Sequence, residues 1–325
     1  MAIKNVVGTG ALGSVVVEAL LEADFNVTIL TRKGSSIAAG SIPAGVSAIK
    51  HVDYKSVDSL KAALVGQDAV VSALGTSVSS EQMPLAEAAV APGSSIQRFI
   101  PSEFGINTRK TPGTAIEKML GPKTRLVDFL DKAAAANPAF TWTALSTGLF
   151  FDWGLPRGLM DFDADTRTAT IYDSGNARFG ATNIGFIGRA VVAVLKAAND
   201  ASSSSSSSSS TTPAGDKSQD KTANRYLEIA SLFTTQNEVL AAAQALTPGE
   251  TWTVTHVSSA EKQVEAEALM AKGETYAATL LLLFLWQYAD GTDHAPDPTD
   301  PAFGNTVLGL EMEDPKVGIA AWLKK

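Results

Sequence analysis

The residues that could do chemistry are concentrated first in a glycine-rich run near the start of the chain. The run consists of Gly8, Thr9, Gly10, Ala11, Leu12 and Gly13. It follows an apolar stretch, 3–7, that is typical of a strand, and it precedes an amphipathic helical stretch. Glycines let the backbone approach a pyrophosphate closely, and the helix that follows aims free amide groups at it. The pattern therefore predicts a dinucleotide-binding βαβ unit.

Two cations follow where the ribose of a dinucleotide is usually recognised. Arg32 and Lys33 come directly after the second predicted strand, 25–30, and Arg32 stands 19 residues after Gly13. NAD-specific folds place an acidic residue at this point, on the ribose 2′-hydroxyl. Because a guanidinium and an ammonium suit a 2′-phosphate, the sequence predicts NADP(H) as the cofactor. The alternative is that both cations are ordinary solvated loop residues.

Other glycine, polar and aromatic residues follow later strand ends. Strands and helices alternate through the first half, which predicts an α/β doubly wound parallel sheet with helices on both faces. Ligands of such folds bind at the carboxyl ends of the strands. We therefore expect a shared crevice and a cofactor site completed by Gly75, Thr76, Ser102, Glu103, Phe104, Gly148 and Phe150.

The predicted elements divide the chain into two units. An NADP(H)-binding Rossmann domain is expected over 1–150, completed by 184–200 and 225–232. A smaller C-terminal substrate domain is expected from 151–183 and 233–325. The division follows the point at which the regular alternation of strands and helices stops.

A serine-rich stretch interrupts the second half. Residues 202–210 are nine consecutive serines, inside a polar stretch over 201–223. Such a composition cannot bury apolar surface to offset its ordering entropy, so the sequence predicts a disordered insert.

Composition excludes several classes of function. The net charge is −8 and no basic cluster is present, which argues against nucleic acid or a membrane surface as a partner. The chain has no cysteine, and its three histidines are far apart, so no metal site is expected. The start of the chain lacks the pattern of a signal peptide, so we expect a cytoplasmic protein.

Two segments carry a family resemblance. Residues 98–105 read Arg-Phe-Ile-Pro-Ser-Glu-Phe-Gly, and residues 147–155 read Thr-Gly-Leu-Phe-Phe-Asp-Trp-Gly-Leu. With the glycine run, Thr31-Arg32 and the GQDAVVSA segment at 66–73, the chain resembles the NmrA-like and isoflavone-reductase-like family, and its Phe-Phe-Asp-Trp sequence is similar to that of fungal members. These proteins are atypical short-chain dehydrogenase/reductases. The resemblance implies an NADP(H)-binding Rossmann domain, a smaller substrate domain and reduction of small, often aromatic, compounds.

The resemblance also implies a proton donor. In reductases of this group, a lysine at the start of the long helix after the Pro-Ser-Glu-Phe-Gly segment is the proposed general acid/base. The matching residue is Lys123, just before a helix expected over 124–136, and Lys118 is its nearest competitor. A lysine can move a proton in this way when burial lowers its pKa. None of the five tyrosines has a lysine four residues later, so the proton relay of the main short-chain dehydrogenase branch is missing.

The glycine run departs from the family pattern. Family members usually carry G-x-x-G-x-x-G after a longer first strand, whereas this chain has G-x-G-x-x-G after a shorter predicted one. Either the loop forms the tighter Rossmann turn, or the phosphate site is distorted.

Alternatives remain open for some site residues. Glu103 could orient Lys123 or a substrate hydroxyl, but a carboxylate that caps a neighbouring turn is the favoured interpretation. Phe150, Phe151 and Trp153 could line an aromatic pocket or simply pack in the core.

The sequence supports two functions of different class. The favoured one is an NADPH-dependent reductase of a small carbonyl or conjugated-alkene compound, with Lys123 as the proton donor or relay. The alternative is a regulator that senses NADP(H) and binds a protein partner without turnover. The fold alone cannot separate the two, because function depends on the site.

Overall fold

The computed structural model describes residues 2–10, 12–35, 42–204, 220–292 and 294–324. Its strands are, in chain order, β1 (Asn5–Gly10), β2 (Asn26–Arg32), β3 (Ala48–Val52), β4 (Ala69–Ala73), β5 (Arg98–Ile100), β6 (Thr141–Ser146), β7 (Leu149–Phe150), β8 (Phe162–Asp163), β9 (Thr168–Tyr172), β10 (Phe179–Thr182), β11 (Arg225–Glu228), β12 (Leu232–Thr234) and β13 (Thr253–Val257). Its α-helices are α1 (Gly13–Glu22), α2 (Val57–Leu64), α3 (Gln82–Ala89), α4 (Glu117–Ala136), α5 (Phe151–Gly154), α6 (Ile184–Ser204), α7 (Gln236–Leu246), α8 (Ser259–Ala271), α9 (Thr275–Tyr288), α10 (Gly304–Leu308) and α11 (Pro315–Leu323). Short 3₁₀ helices span Thr76–Glu81, Thr108–Lys110 and Leu155–Arg157.

A parallel sheet of seven strands forms the centre of the N-terminal half. The strands lie in the order β3-β2-β1-β4-β5-β6-β11, and each neighbouring pair is parallel. The connections run outward in opposite directions from β1 and β4. The carboxyl ends of these two strands are therefore the switch point at which doubly wound folds bind ligands. The predicted α/β doubly wound fold is confirmed.

Helices cover both faces of this sheet. Successive side chains of a strand point to opposite faces. Val7 of β1 accordingly packs in the apolar layer that α2, α3 and α4 complete, while Val6 packs in the layer completed by α1 and α6. Both valines are fully buried.

The first strand ends later than the sequence predicted. β1 runs from Asn5 to Gly10, not over 3–7, and Gly8 is paired with Ile29 of β2 and Val71 of β4. The strand continues into the glycines because strands on both sides extend far enough to satisfy its backbone groups. The predicted bounds of this strand were therefore wrong at both ends, and α1 begins at Gly13. The comparison of its length with that in family members stays a prediction.

The long helix before β6 begins earlier than predicted. α4 starts at Glu117, whereas the sequence placed its start at 124, after Gly121 and Pro122. A proline within a helix removes one backbone hydrogen bond. Here the first turns are held by packing, since Leu120 lies in the C-terminal apolar core. Lys123 consequently lies within α4 and not at its start.

The C-terminal half forms a second apolar core. It unites α7, α8, α9 and α11 with two small sheets, in the strand orders β12-β10-β7 and β13-β9-β8. α6 and β11 lie apart from this core: α6 packs beside α1, and β11 pairs with β6. No helix among the described residues is long and apolar enough to cross a membrane. The domain boundaries stay a prediction.

Both ends of the stretch predicted as a disordered insert, 201–223, are structured. α6 continues to Ser204, and Asp220 is buried in an ion pair with Arg98 of β5. The prediction was wrong at these ends because tertiary contacts hold residues whose composition suggested a loop. Residues 205–219, with most of the serines, lie outside the described residues.

Candidate active site

A cleft of about 540 Å³ opens at the carboxyl ends of β1, β2 and β4. Four of the residues predicted to bind the cofactor line it: Gly8, Gly13, Arg32 and Gly75. These residues are distant in sequence, and the parallel sheet brings them together because its strands end at one edge.

The first turn of α1 borders this cleft through Gly13 and Ser14. Leu12, at the N-cap position, makes no side-chain hydrogen bond, and the first turn carries no acidic residue. The first amide groups of a helix lack intrahelical partners and carry partial positive charge. A Cβ added to Gly13 or Gly75 would meet no described atom within 4 Å, so there is open space beside both glycines. This combination fits a dinucleotide pyrophosphate.

The two predicted ribose-recognition cations differ in position. Arg32 is exposed at the end of β2 and lines the cleft, and it forms no ion pair with the residues that the structure describes. Lys33 is also exposed, but it lies outside the cleft lining, and its backbone N–H donates to the Val52 carbonyl at 2.8 Å. Arg32 is therefore the better placed of the two for a 2′-phosphate.

The remaining residues of the glycine run have other positions. Thr9 and Gly10 lie in β1, where they pair with β4. Leu12 packs against the apolar layer of α1 and α6. Ala11, also predicted to bind the cofactor, lies outside the described residues.

A second cavity, of about 690 Å³, begins beside the cleft. Gly75 lines the cleft and the next residue, Thr76, lines the cavity. The walls are largely apolar, with Met119 and Leu120 of α4 on one side and Leu283 and Phe284 of α9 on another. Such a lining suits a small apolar or aromatic molecule.

Several predicted residues belong to this cavity and not to the cofactor cleft. Thr76, Phe104, Gly148 and Phe150 all line it. Gly148 has φ +60°, and a Cβ there would lie 2.3 Å from the Gly180 carbonyl oxygen, so this close backbone approach requires glycine.

The two interpretations of the aromatic segment apply to different residues. Phe150 and Trp153 line the cavity and pack edge to face, with ring centroids 6.3 Å apart. Phe151 is completely buried in the C-terminal core. Asp152, between them, accepts the N–H of Ile184 at 2.9 Å and so holds the start of α6.

Lys123 is the cationic side chain among the described residues of the cavity wall. It is 5% exposed, and it forms no ion pair within the described part of the chain. Burial lowers its pKa, and the negative charge of Glu103 opposes that effect. A lysine in such surroundings gives up a proton more readily than a solvated one. Lys118 is exposed and does not line the cavity.

Glu103 is completely buried next to this lysine site. Its Oε2 accepts hydrogen bonds from the Thr108 hydroxyl at 2.6 Å and from the Tyr226 hydroxyl at 2.9 Å. Burial raises the pKa of Glu103, and the charge of Lys123 is the largest opposing effect. The partners of its carboxylate are side chains and not the backbone amides of a turn, so the favoured turn-capping interpretation was wrong. No sequence pattern pointed to Tyr226, which lies on the distant strand β11.

Ser102, also predicted to bind the cofactor, has structural partners instead. Its hydroxyl donates to the Leu74 carbonyl at 2.7 Å, and its N–H donates to Gln82 Oε1 at 2.7 Å. It is buried and lines neither the cleft nor the cavity. The first bond connects the ends of β4 and β5, and the second connects the end of β5 to α3.

Comparison with known proteins places this geometry in context. The sequence model of the NmrA-like family matches residues 3–154. The oxidoreductase poxI of Penicillium oxalicum is 31% identical over 94% of this chain and 88% of its own length. The structure of AtPrR2 with NADP+ and (+)pinoresinol has a TM-score of 0.76 at 17% identity, covering 99% of both chains. The leucoanthocyanidin reductase–NADPH complex from Vitis vinifera has a TM-score of 0.73 at 19% identity, covering 99% of this chain and 100% of the other.

Proposed function

Since the chain belongs to the NmrA-like family, we propose that it is an NADPH-dependent oxidoreductase. Its substrate is a small, apolar or aromatic compound with a carbonyl group or a conjugated double bond. The observation that carries this proposal is the position of Lys123, a buried lysine on the wall of an apolar cavity that begins beside a dinucleotide-shaped cleft.

The cleft residues hold the cofactor. The free amides at the start of α1 and the open space at Gly13 suit the pyrophosphate, and the exposed Arg32 guanidinium suits the 2′-phosphate. When bound, NADPH supplies the hydride for the reduction. The names of the relatives agree with this choice, since poxI is an oxidoreductase and the leucoanthocyanidin reductase binds NADPH.

The cavity residues hold the substrate and control the proton. A reduction of this kind adds one hydride and one proton to the substrate, and Lys123 Nζ donates the proton to the atom on which negative charge develops. Burial favours the neutral amine that remains, because a desolvated site disfavours the ammonium form. The apolar walls formed by residues such as Leu283 and Phe284 exclude water. Water exclusion strengthens the interaction between the ammonium and the developing charge.

Turnover tests the proposal directly. NADPH binding is measured first by calorimetry, and NADPH oxidation is then followed against aromatic ketones, quinones and phenylpropenes. Reduction of at least one compound, with the reduced product identified by mass spectrometry, is the expected result. Tight NADPH binding without reduction of any compound on the panel would favour the sensor alternative over the reductase.

A further inference from the structure

Three side chains from separate segments meet at the wall of the cavity that Lys123 lines, since Thr108 and Lys123 both border that cavity. Glu103 follows β5, Thr108 begins a 3₁₀ helix, and Tyr226 lies on the edge strand β11. The Thr108 and Tyr226 hydroxyls both bond Glu103 Oε2, and the two hydroxyl oxygens are themselves 2.7 Å apart. We call these three residues the carboxylate cluster. Within it, Glu103 Oε2 accepts two hydrogen bonds.

The other oxygen of this carboxylate is left without a partner. Oε1 is buried and forms no hydrogen bond with any residue that the structure describes. A buried polar atom without a partner costs free energy, and a buried charge costs more. A positive charge nearby offsets part of this cost.

The charged groups that act on Glu103 come from two elements. Lys123 of α4 has the largest favourable effect on its ionised form. Arg109, in the 3₁₀ helix that Thr108 begins, has a smaller effect; its guanidinium lies 5.6 Å from the centre of the Tyr226 ring and pairs with Asp128. The buried lysine is therefore the cation to which this carboxylate is most strongly coupled.

We propose that Glu103 is a positioning residue that keeps the proton on Lys123 until the substrate takes it, and that Thr108 and Tyr226 fix Glu103 for this task. The proposal rests on the proposed function, in which Lys123 is the proton donor. Without the carboxylate, the desolvated ammonium releases its proton to solvent at lower pH, and a smaller fraction of the protein is ready to react.

The proton affinity of Lys123 can be measured without substrate or cofactor. Pulses of acetic anhydride across a range of pH label the neutral amine, and peptide mass spectrometry reports the labelled fraction of Lys123 alone. We expect the labelling midpoint to move to lower pH in Glu103→Gln. Glu117→Gln is the matched control, because it makes the same change at an exposed position on α4, the helix that carries Lys123. Its midpoint should equal that of the wild type.

A second variant keeps the test decisive if Glu103→Gln does not fold. Tyr226→Phe removes one hydrogen bond to the carboxylate and leaves the carboxylate itself in place. Since a carboxylate with fewer donors is harder to keep ionised, the Lys123 midpoint should move in the same direction by a smaller amount. An unchanged midpoint in the folded variants overturns the positioning role.

The labelling result is separable from the proposed function. If the protein reduces nothing on the panel but the Lys123 midpoint shifts in Glu103→Gln, the coupling of Glu103 to Lys123 is supported and only the reductase assignment fails. If the protein reduces a substrate but the Lys123 midpoint does not shift in Glu103→Gln, the reductase assignment stands and the positioning role of Glu103 fails. In the reductase, Glu103→Gln should also lower kcat at alkaline pH and leave KM for NADPH unchanged, a split that general structural damage would not produce.

Discussion

Gly75 and Thr76 are consecutive residues that line two different cavities. Gly75 borders the cleft that collects the glycines of β1 and α1, and Thr76 borders the apolar cavity that contains Lys123. The end of β4 is therefore the junction between a site shaped for a dinucleotide and a site shaped for an apolar molecule. A cofactor that occupied the cleft would need to extend past this junction to reach Lys123.

Cofactor selectivity should depend on Arg32. Its guanidinium lines the cleft without a described ion-pair partner, so it is available for a phosphate. Arg32→Ala should weaken NADPH binding about 10- to 100-fold, the usual range for a charge-assisted hydrogen bond, and leave NADH binding nearly unchanged. Lys33→Ala is the matched control, and calorimetry should show a smaller loss for it. Equal losses of NADPH and NADH affinity in Arg32→Ala would refute the assignment.

Filling the open space at Gly13 should block the cofactor and spare the fold. A valine side chain there meets no described atom near its Cβ, so the substitution costs little in packing while it occupies the cleft beside the first amides of α1. Gly13→Val should therefore unfold at nearly the wild-type temperature and bind no NADPH. Gly185→Val makes the same change near the start of α6, also in open space, and should bind NADPH normally. Normal NADPH binding by Gly13→Val would place the phosphate site elsewhere.

Loss of the Lys123 amine should affect turnover and not cofactor affinity. For a general acid, Lys123→Ala should lower kcat about 10²- to 10⁴-fold. The Kd for NADPH should change little, since the proton moves only during the reaction. Lys118→Ala, an exposed lysine five residues earlier, should turn over at the wild-type rate. Should the two variants show equal rates with a confirmed substrate, Lys123 is not the proton donor.

The pH dependence of turnover should report the lowered pKa of Lys123. The acid must carry its proton, so kcat should be highest below the pKa of Lys123 and should fall as pH rises through it. Because burial lowers this pKa from its ordinary value of 10.5, the decline should occur at a pH below 10.5. A profile of kcat against pH measures it, and the residual activity of Lys123→Ala should lack this decline. A flat profile up to the ordinary lysine range would be inconsistent with a buried acid.

The ion pair between Arg98 and Asp220 should contribute strongly to stability. Both side chains are 1% exposed, and Arg98 also donates to the Thr141 and Thr143 hydroxyls at 2.9 and 2.7 Å. Asp220→Asn leaves a buried guanidinium without its counter-charge, which costs about 3–5 kcal/mol of unfolding free energy. Asp128→Asn breaks the half-exposed pair with Arg109 and should cost about 0–1 kcal/mol. Chemical denaturation compares the two, and similar losses would contradict the difference in burial.

Short sequence patterns were sufficient to predict the central sheet and the position of the cofactor cleft. The alternation of strands and helices predicted the sheet, and the residues that follow the strand ends were recognised because parallel strands end at one edge. The glycine run indicated the cleft, although pairing with β2 and β4 carried β1 further than its apolar residues indicated. Pro122 led the sequence analysis to place the start of α4 too late. The helix begins before this proline because the packing of Leu120 offsets the lost hydrogen bond.

Contacts between distant segments could not be read from the sequence. The contacts of Tyr226 with Glu103 and of Asp220 with Arg98 join segments that the pairing of the edge strand β11 with β6 brings together. Neither pair has a characteristic spacing in the sequence. Asp220 and Tyr226 also come after the serine run, whose composition predicted a disordered segment. The cavity that Lys123 lines is likewise completed by α9, from the C-terminal half of the chain.

A crystal structure of the NADPH complex would show whether the cleft and the apolar cavity form one reductase site. We expect the 2′-phosphate against Arg32, the pyrophosphate at the start of α1, and the nicotinamide past Thr76 in the cavity that Lys123 lines. A nicotinamide that lies outside the cavity and points away from Lys123 would contradict a single reductase site.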